Sequence, residues 1–322
     1  MTEAYHDEHY RIVVNHSSTT RCLFNKPHFI RHQNDVQQSF TLVFCLVKQS
    51  DNTPLATLDF SHKEHSQQWF SPVTGAFSHM ESVKSLTFSE AELFIEQICH
   101  YLIKEYGAEK FIWRLPPLYY DARNTNKWLN ALLRLGWTIS RHDLNFHLMT
   151  GDGKTFRSGL GKSKRNELNR LARNPVHFRI AESIDEISHI YHVISENHVA
   201  QGYPMTMSLS ALLALHEVAK DDVIFCCLIR NEQLLAGAIL LRLDEDSLYI
   251  FNWGENPANR CETPVTRLAE ALYEYAQTQH YQFLDIGIST EDSVPNQGLV
   301  NFKSNIGCDI TQKYTLEYVP RG

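Results

Sequence analysis

Two stretches of the chain alternate between apolar runs and polar turns in the way that β-hairpins do. The first, "SFTLVFCLVKQSDNTPLATLDFSH", has apolar runs on both sides of a turn that contains Asp51, Asn52 and Pro54. The second, "DVIFCCLIRNEQLLAGAILLRLD", has its turn from Arg230 to Gln233. Apolar runs rich in β-branched and aromatic residues, separated by a short polar turn, are typical of hairpins. The sequence therefore predicts one hairpin in each half of the chain.

A segment with helical periodicity follows each hairpin. "SEAELFIEQICHYLIKEYG" predicts a helix with Ser89 as its N-cap and Gly107 as its end. "TPVTRLAEALYEYAQTQH" predicts a second helix, with Thr263 as its cap and Pro264 at the first helical position. Each helix is followed by a short apolar strand, then by a shorter helix and a last strand.

The order of elements is therefore the same in both halves, which indicates a duplication. A helix between two strands predicts a crossover between parallel strands, so the fold class is α/β with a mixed sheet. The stretch "TGDGKT", with two glycines among six residues, is the predicted linker. We expect one domain over residues 1–150 and another over residues 151–322.

Composition limits the classes of function. The chain has 322 residues, no secretory signal pattern and no long apolar run, so we expect a cytoplasmic protein without a membrane span. A net charge of -7 argues against a broad nucleic-acid-binding surface. Seven cysteines without a CxxC pair, and histidine pairs without a third ligand, predict no metal site.

One local stretch departs from this acidic balance. "TFRSGLGKSKRNELNRLARNP", residues 155–175, carries six basic side chains, from Arg157 to Arg173, against the single acid Glu167. Two interpretations stay open, a solvated amphipathic helix and an anion-binding segment.

The second half resembles the Fem-type peptidyltransferases and related tandem GNAT acyltransferases. The resemblance rests on "GKSKRNELNRLARNP", "LLAGAILLR", "YIFNWG", "TPVTRLAEALYEYAQTQHYQFLDIG" and "GLVNFKSNIG", in that order. It covers roughly residues 156–319, and the first half fits as a degenerate copy. The resemblance implies two tandem GNAT-like domains that transfer an acyl or aminoacyl group to an amine.

The resemblance also bears on the donor and the acceptor. In ordinary GNAT enzymes a glycine-rich loop before the long helix holds the pyrophosphate of acetyl-coenzyme A. Here the corresponding loop, "GENPANRCETPVTRL", has no R-x-x-G-x-G run. An acetyl-CoA or other acyl-CoA donor and an aminoacyl-tRNA donor, gripped by its acceptor end, both stay open. The implied acceptor is a small molecule or a peptidoglycan-precursor-like amine.

Seven residues are candidates for the site. The resemblance implies that Lys303 stabilises charge during transfer, and Asp285 ends a strand at the expected site; the alternatives are a solvated helix lysine and a buried structural acid. The helix at the comparable position of the first half, "KWLNALLRLG", has leucines and no lysine at the turn corresponding to Lys303, so the fold alone does not require Lys303. The candidates for substrate binding are Tyr203, Trp253, Phe302, His198 and Arg267. For the whole protein, the alternative to an enzyme is a non-catalytic ligand-binding protein with a degenerate GNAT fold.

Overall fold

The computed structural model describes residues 2–15, 20–64, 66–171, 175–203 and 205–321. These residues form two compact units, Met1–Asp143 together with Thr311–Gly322, and Leu144–Ile310. Arg173 of the basic stretch lies outside the described residues. The division into domains at residue 150 stays a prediction.

The first unit contains three α-helices among its described residues. Its elements in chain order are β1 (Glu3–His6), β2 (Tyr10–Val14), a 3₁₀ turn (Leu23–Asn25), α1 (Pro27–Gln37), β3 (Ser39–Lys48), β4 (Thr53–Lys63), β5 (Gln68–Ser71), β6 (Glu81–Ser82), α2 (Phe88–Tyr106), β7 (Lys110–Arg114), α3 (Ala122–Arg134) and β8 (Thr138–Met149), whose last residues belong to the second unit.

The second unit has five α-helices in the part of the chain that is described. Its elements are a 3₁₀ turn (Phe156–Gly159), α4 (Lys162–Leu171), β9 (His177–Ile180), α5 (Ile184–Gln201), α6 (Leu209–Val218), β10 (Val223–Arg230), β11 (Gln233–Arg242), β12 (Ser247–Glu255), a 3₁₀ turn (Pro257–Glu262), α7 (Pro264–Thr278), β13 (Phe283–Ile288), β14 (Thr290–Glu291), β15 (Val294–Pro295), α8 (Gln297–Asn305) and β16 (Asp309–Tyr318), whose last residues belong to the first unit.

Each unit has a mixed sheet, as predicted. In the first unit the strand order is β1-β2-β3-β4-β5-β7-β16, with β5 and β7 parallel. In the second it is β8-β13-β12-β11-β10-β9, with β12 and β13 parallel. In both units a long helix, α2 or α7, makes the crossover between the parallel strands. Both predicted hairpins, β3–β4 and β10–β11, are confirmed.

The helix caps differ from the prediction at two places. Ser89 is not the N-cap of α2, because Thr87 accepts the N–H of Glu90 and the Glu90 carboxylate accepts the N–H of Thr87. Thr263 does precede α7, but its side chain caps no helical N–H, because its backbone is left-handed with a φ of +53°. The Thr263 hydroxyl donates instead to the carbonyl of Glu262.

Helices cover both faces of the second sheet. Apolar residues of α7, such as Leu268 and Leu272, share a core with Leu284 of β13. Helix α5 packs against β11 and β12 at two glycines, and a Cβ built on Gly254 would lie 2.9 Å from the Cβ of Asn197. The glycine therefore lets α5 approach the carboxyl end of β12 closely. Across the described ranges, no helix combines the length and the apolar character needed to cross a membrane.

Candidate active site

The two parallel strands of the second unit stop pairing halfway along. Their paired residues run from Ser247 and Phe283 to Tyr249 and Asp285. Both strands continue beyond that point, β12 to Glu255 and β13 to Ile288. Each also has a register shift just after the last pair, at Phe251 in β12 and at Ile286 in β13. We call the space between residues 250–255 and residues 286–288 the cleft.

Asp285 lies at the start of the cleft and is 1% exposed. Its Oδ1 accepts hydrogen bonds from Asn145 Nδ2 at 2.8 Å and from the N–H of Gly287 at 2.7 Å. Gly287 has a φ of +72°, in the left-handed region that favours glycine. Burial, and then the charge of Asp285, raise the pKa of Tyr249 on the neighbouring strand. Asp285 therefore fixes the irregular end of β13 and places a buried carboxyl group there.

Lys303 extends from α8 to the same strand end and is 4% exposed. Its Nζ donates to the carbonyl oxygens of Ile286 at 2.8 Å, of Gly287 at 2.9 Å and of Ile288 at 2.9 Å. An ammonium has three N–H groups, so all of them are used. Burial lowers the pKa of Lys303 to about 8, against the opposing effects of Cys308 and Asp285. The alternative of a solvated helix lysine is therefore wrong.

Two aromatic candidates contact each other beside the cleft. The ring centroids of Trp253 on β12 and Phe302 on α8 are 5.8 Å apart in an edge-to-face arrangement, and both side chains are half-buried. The Nζ of Lys164 on α4 lies 5.1 Å from the centroid of Phe302. The three residues bring β12, α8 and α4 together at one side of the cleft.

The loop after α5 reaches the start of α8. The hydroxyl of Tyr203 accepts a hydrogen bond from Asn296 Nδ2 at 2.6 Å, and Asn296 Oδ1 caps α8 by accepting the N–H of Leu299. Asn252 of β12 donates to Thr206 of the same loop at 3.1 Å. The second candidate in this region, His198, lies in the last turn of α5 and is half-buried. Tyr203 is therefore positioned against the helix that carries Lys303.

Comparison with known proteins identifies the fold. No protein-family model and no curated protein matches the chain. The crystal structure of FemX aligns with a TM-score of 0.69 at 10% identity, over 92% of this chain and 92% of that one. L-PGS from Bacillus licheniformis aligns with a TM-score of 0.55 at 16% identity, over 85% of this chain and 83% of that one. A tandem GNAT protein from the clavulanic acid biosynthesis pathway aligns with a TM-score of 0.54 at 8% identity, over 88% of this chain and 85% of that one. The chain has a Fem-like tandem GNAT fold.

Two carboxylates of this chain lie at the N-terminus of the crossover helix α7. Glu255 is 8% exposed, and its Oε2 accepts the N–H of Val265 in the first turn of α7 at 3.4 Å. Glu167 accepts from the hydroxyl of Thr266 at 2.9 Å and pairs with Lys164 at 2.7 Å. Burial raises the pKa of Glu255. The positive end of the α7 dipole is therefore already matched by the protein's own acids.

Sequence reasoning missed both carboxylates, although two signals were present. Glu255 directly follows "YIFNWG" at the end of β12, and Glu167 is the single acid among the basic residues of the stretch 155–175. In the structure Glu167 contacts Lys164 and Thr266.

Arg267 lies elsewhere on this GNAT unit. Its guanidinium donates to Glu270 at 2.8 Å, and Glu270 also accepts from Arg157 at 2.5 Å. Arg267 lines a cavity of about 250 Å³ together with Arg157, Leu168 and Glu274. The structure therefore places Arg267 in an ion-pair network. It brings together the other candidates in three pairs: Lys303 with Asp285, Trp253 with Phe302, and Tyr203 with the start of α8.

Over the described ranges, no group of three or more metal-ligating side chains occurs.

Proposed function

We propose that this protein is an acyltransferase that moves an acyl or aminoacyl group to an amine in the cleft between β12 and β13. In this reaction the amine nitrogen attacks the carbonyl carbon of the donor, and the carbonyl oxygen becomes an oxyanion. The bond to the leaving oxygen or sulfur then breaks, and the proton lost by the amine neutralises the leaving group. The positive charge of Lys303 at the end of β13 supports the proposal, because it lies beside the position where negative charge would develop.

Lys303 would act through the backbone. Its three N–H groups are bonded to carbonyl oxygens, so it has no N–H left for an oxyanion in this arrangement. A cation on a carbonyl oxygen polarises that peptide unit and strengthens its N–H as a donor. We therefore assign Lys303 the role of a positioning residue and Asp285 that of a second support for the same strand end.

The donor that this site favours is an aminoacyl ester such as aminoacyl-tRNA. The observation that carries this choice is the buried Glu255 at the N-terminus of α7, where a pyrophosphate would meet a carboxylate. Like charges at one site are strongly unfavourable in a partly desolvated position.

A basic face next to the cleft provides charge for such a donor. Lys162, Arg165 and Arg170 of α4 are exposed, and none has a carboxylate partner within 4 Å among the described residues. Helix α4 is joined to α8 by the hydrogen bond from the N–H of Gly161 to the carbonyl of Asn305 at 2.9 Å. Exposed cations along one helix are suited to the phosphates of an acceptor stem, while the net charge of -7 disfavours a broader nucleic-acid surface.

The three hydrogen bonds of Lys303 also favour a second function, a ligand-binding protein without catalysis. In that case Lys303 only stabilises the end of β13.

The deciding experiment offers the full-length protein a pool of tRNA charged with radiolabelled amino acids and, separately, radiolabelled acetyl-CoA, each with a peptidoglycan precursor peptide that has a free amine. Transfer of label to the peptide from tRNA is the expected result. Transfer from acetyl-CoA would contradict the assignment of the donor. Binding of charged tRNA without transfer of label would favour the binding protein.

Thermal unfolding with acetyl-CoA and with inorganic pyrophosphate tests the role of the carboxylates at α7. We expect no thermal stabilisation of the wild-type protein by acetyl-CoA. The variant Glu255→Ala removes the buried charge, and we expect it to gain weak stabilisation by inorganic pyrophosphate. Glu274→Ala, which changes an exposed acid on the same helix, is the matched control.

A further inference from the structure

The first unit contains a small polar cavity that is separate from the cleft. Helix α1, strands β3 and β4, and the chain after β5 form its walls, and the lining includes Phe24, Phe29, Gln33, Thr41, Asp59 and Ser61. Its volume is about 10 Å³, which is enough for one group the size of a water molecule.

Asp59 is a buried carboxylate, and only one of its two oxygen atoms accepts hydrogen bonds from the described residues. It is 4% exposed. Its Oδ1 accepts hydrogen bonds from Asn25 Nδ2 at 2.5 Å and from the hydroxyl of Ser78 at 3.2 Å. Oδ2 has neither a hydrogen-bond donor nor a cationic side chain as a partner among the residues that the structure describes. Burial raises the pKa of Asp59 to about 6, so the group is still mostly ionised at neutral pH. A buried charge without a counter-ion is costly, and a cation in the cavity would offset that cost.

Gln33 is a second polar side chain that faces the same space. It lies on α1, is 5% exposed, and its amide makes no hydrogen bond within the described ranges. Across the cavity the hydroxyls of Thr41 and Ser61 are 2.7 Å apart, and Thr41 donates to Asn34 Oδ1 at 2.8 Å. The Thr41 proton is therefore used, and the Ser61 oxygen can accept. The residues that line the space thus offer three acceptor groups: the carboxylate of Asp59, the amide oxygen of Gln33 and the hydroxyl of Ser61.

We propose that this cavity binds the protonated amino group of a primary amine, with Asp59 as its counter-ion. The head of a primary ammonium has the size of a water molecule and three N–H donors, which match the volume and the three acceptors. Phe24 and Phe29, whose ring centroids are 5.3 Å apart, form an apolar wall for the carbon next to the nitrogen. A quaternary ammonium has no N–H and is too large. The site therefore selects amines that can donate hydrogen bonds.

Thermal unfolding of the full-length protein in phosphate buffer at pH 7.5 tests this proposal. Methylammonium chloride should raise the Tm in a saturable way, by about 2 °C at ten times its dissociation constant. Tetramethylammonium chloride and potassium chloride at the same ionic strength should not. Asp59→Asn should abolish the effect of methylammonium.

A second variant covers the case in which Asp59→Asn does not fold. Gln33→Leu removes one acceptor and should reduce the methylammonium shift, whereas Gln37→Leu, one turn further along α1 and outside the cavity, should leave it unchanged. Equal shifts with all three salts, a shift that persists in Asp59→Asn, or a saturable shift with potassium would overturn the proposal. The absence of any shift would also overturn it and would mean that the cavity holds water.

Discussion

The ammonium of Lys303 donates to the carbonyl oxygen of Gly287 at 2.9 Å, and Gly287 has a φ of +72°. The left-handed backbone at Gly287 lets the carbonyl groups of three consecutive residues converge on one cation. The last turn of α8 is thereby fixed to the end of β13. This contact lies next to Asp285, whose carboxylate accepts the N–H of Gly287, so both side chains support the same irregular strand end.

The stability of the second unit should depend strongly on this contact. Lys303→Met leaves three carbonyl oxygens without their donor, and we expect a loss of about 3 kcal/mol in the free energy of unfolding. Urea denaturation followed by circular dichroism measures it. Lys104→Met, at a helix lysine whose side chain is 70% exposed, should change stability by less than about 0.5 kcal/mol. Equal effects of the two substitutions would mean that the hydrogen bonds of Lys303 contribute little.

The close approach of α5 to β12 gives a second prediction. In Gly254→Ala the new Cβ would lie 2.9 Å from the Cβ of Asn197, so the helix must shift, at a cost of about 1–3 kcal/mol. In the control Gly298→Ala, on α8, the nearest atom is 3.4 Å away, and alanine is the better helix former. Thermal unfolding of both variants should therefore show a clear loss for the first and no loss for the second. The opposite order would show that α5 can move away from the sheet freely.

Local sequence patterns predicted most of the framework. The hairpins and crossover helices depend on periodicity and turn residues that lie close together along the chain, so "DVIFCCLIRNEQLLAGAILLRLD" was sufficient to predict β10 and β11. The N-cap of α2 is ambiguous in the sequence because Thr87 and Ser89 are both acceptable caps, and only the pairing of Thr87 with Glu90 decides between them.

The environment of the site residues could not be predicted in the same way. Asp285 is bonded to Asn145, 140 residues away, and that contact exists only because β8 pairs with β13. Lys303 lies in a helix with mixed polarity, so no pattern distinguishes a buried lysine there from an exposed one. The resemblance to the Fem-type proteins drew attention to Lys303, but it gave no indication that all three of its N–H groups are bonded to the backbone.

The basic face of α4 should contribute to tRNA binding through salt-dependent contacts. If Lys162, Arg165 and Arg170 each neutralise one phosphate, the triple alanine variant should reduce the slope of log K against log salt by about 2. Fluorescence anisotropy with labelled tRNA at several salt concentrations measures this slope. The matched control replaces Arg31, Lys84 and Lys220, three exposed cations outside α4, with alanine, and should keep the wild-type slope. Equal slopes for the two triple variants would rule out α4 as the tRNA-binding face.

The pH dependence of stability should report the burial of Asp59. Its folded pKa of about 6 lies above its ordinary value of 3.8, so the folded chain binds more protons than the unfolded chain between these pH values. The contribution of this carboxyl to the free energy of unfolding is therefore fully present below about pH 4 and is lost as the pH rises through 6. The total loss is up to about 3 kcal/mol. Urea denaturation in amine-free buffers measures this as the difference between the wild-type protein and Asp59→Asn.

The control for this measurement is Asp51→Asn. Hydrogen bonds from Thr53 lower the pKa of Asp51, so its contribution has the opposite sign and is lost as the pH falls. The free energy of unfolding of the wild-type protein minus that of Asp59→Asn should fall as the pH rises. If this difference is constant, or rises with pH, Asp59 is paired with a cation in solution. A saturating concentration of methylammonium should have a related effect on the wild-type protein, because the ligand stabilises the ionised carboxylate and so reduces the loss of stability between about pH 4 and 6.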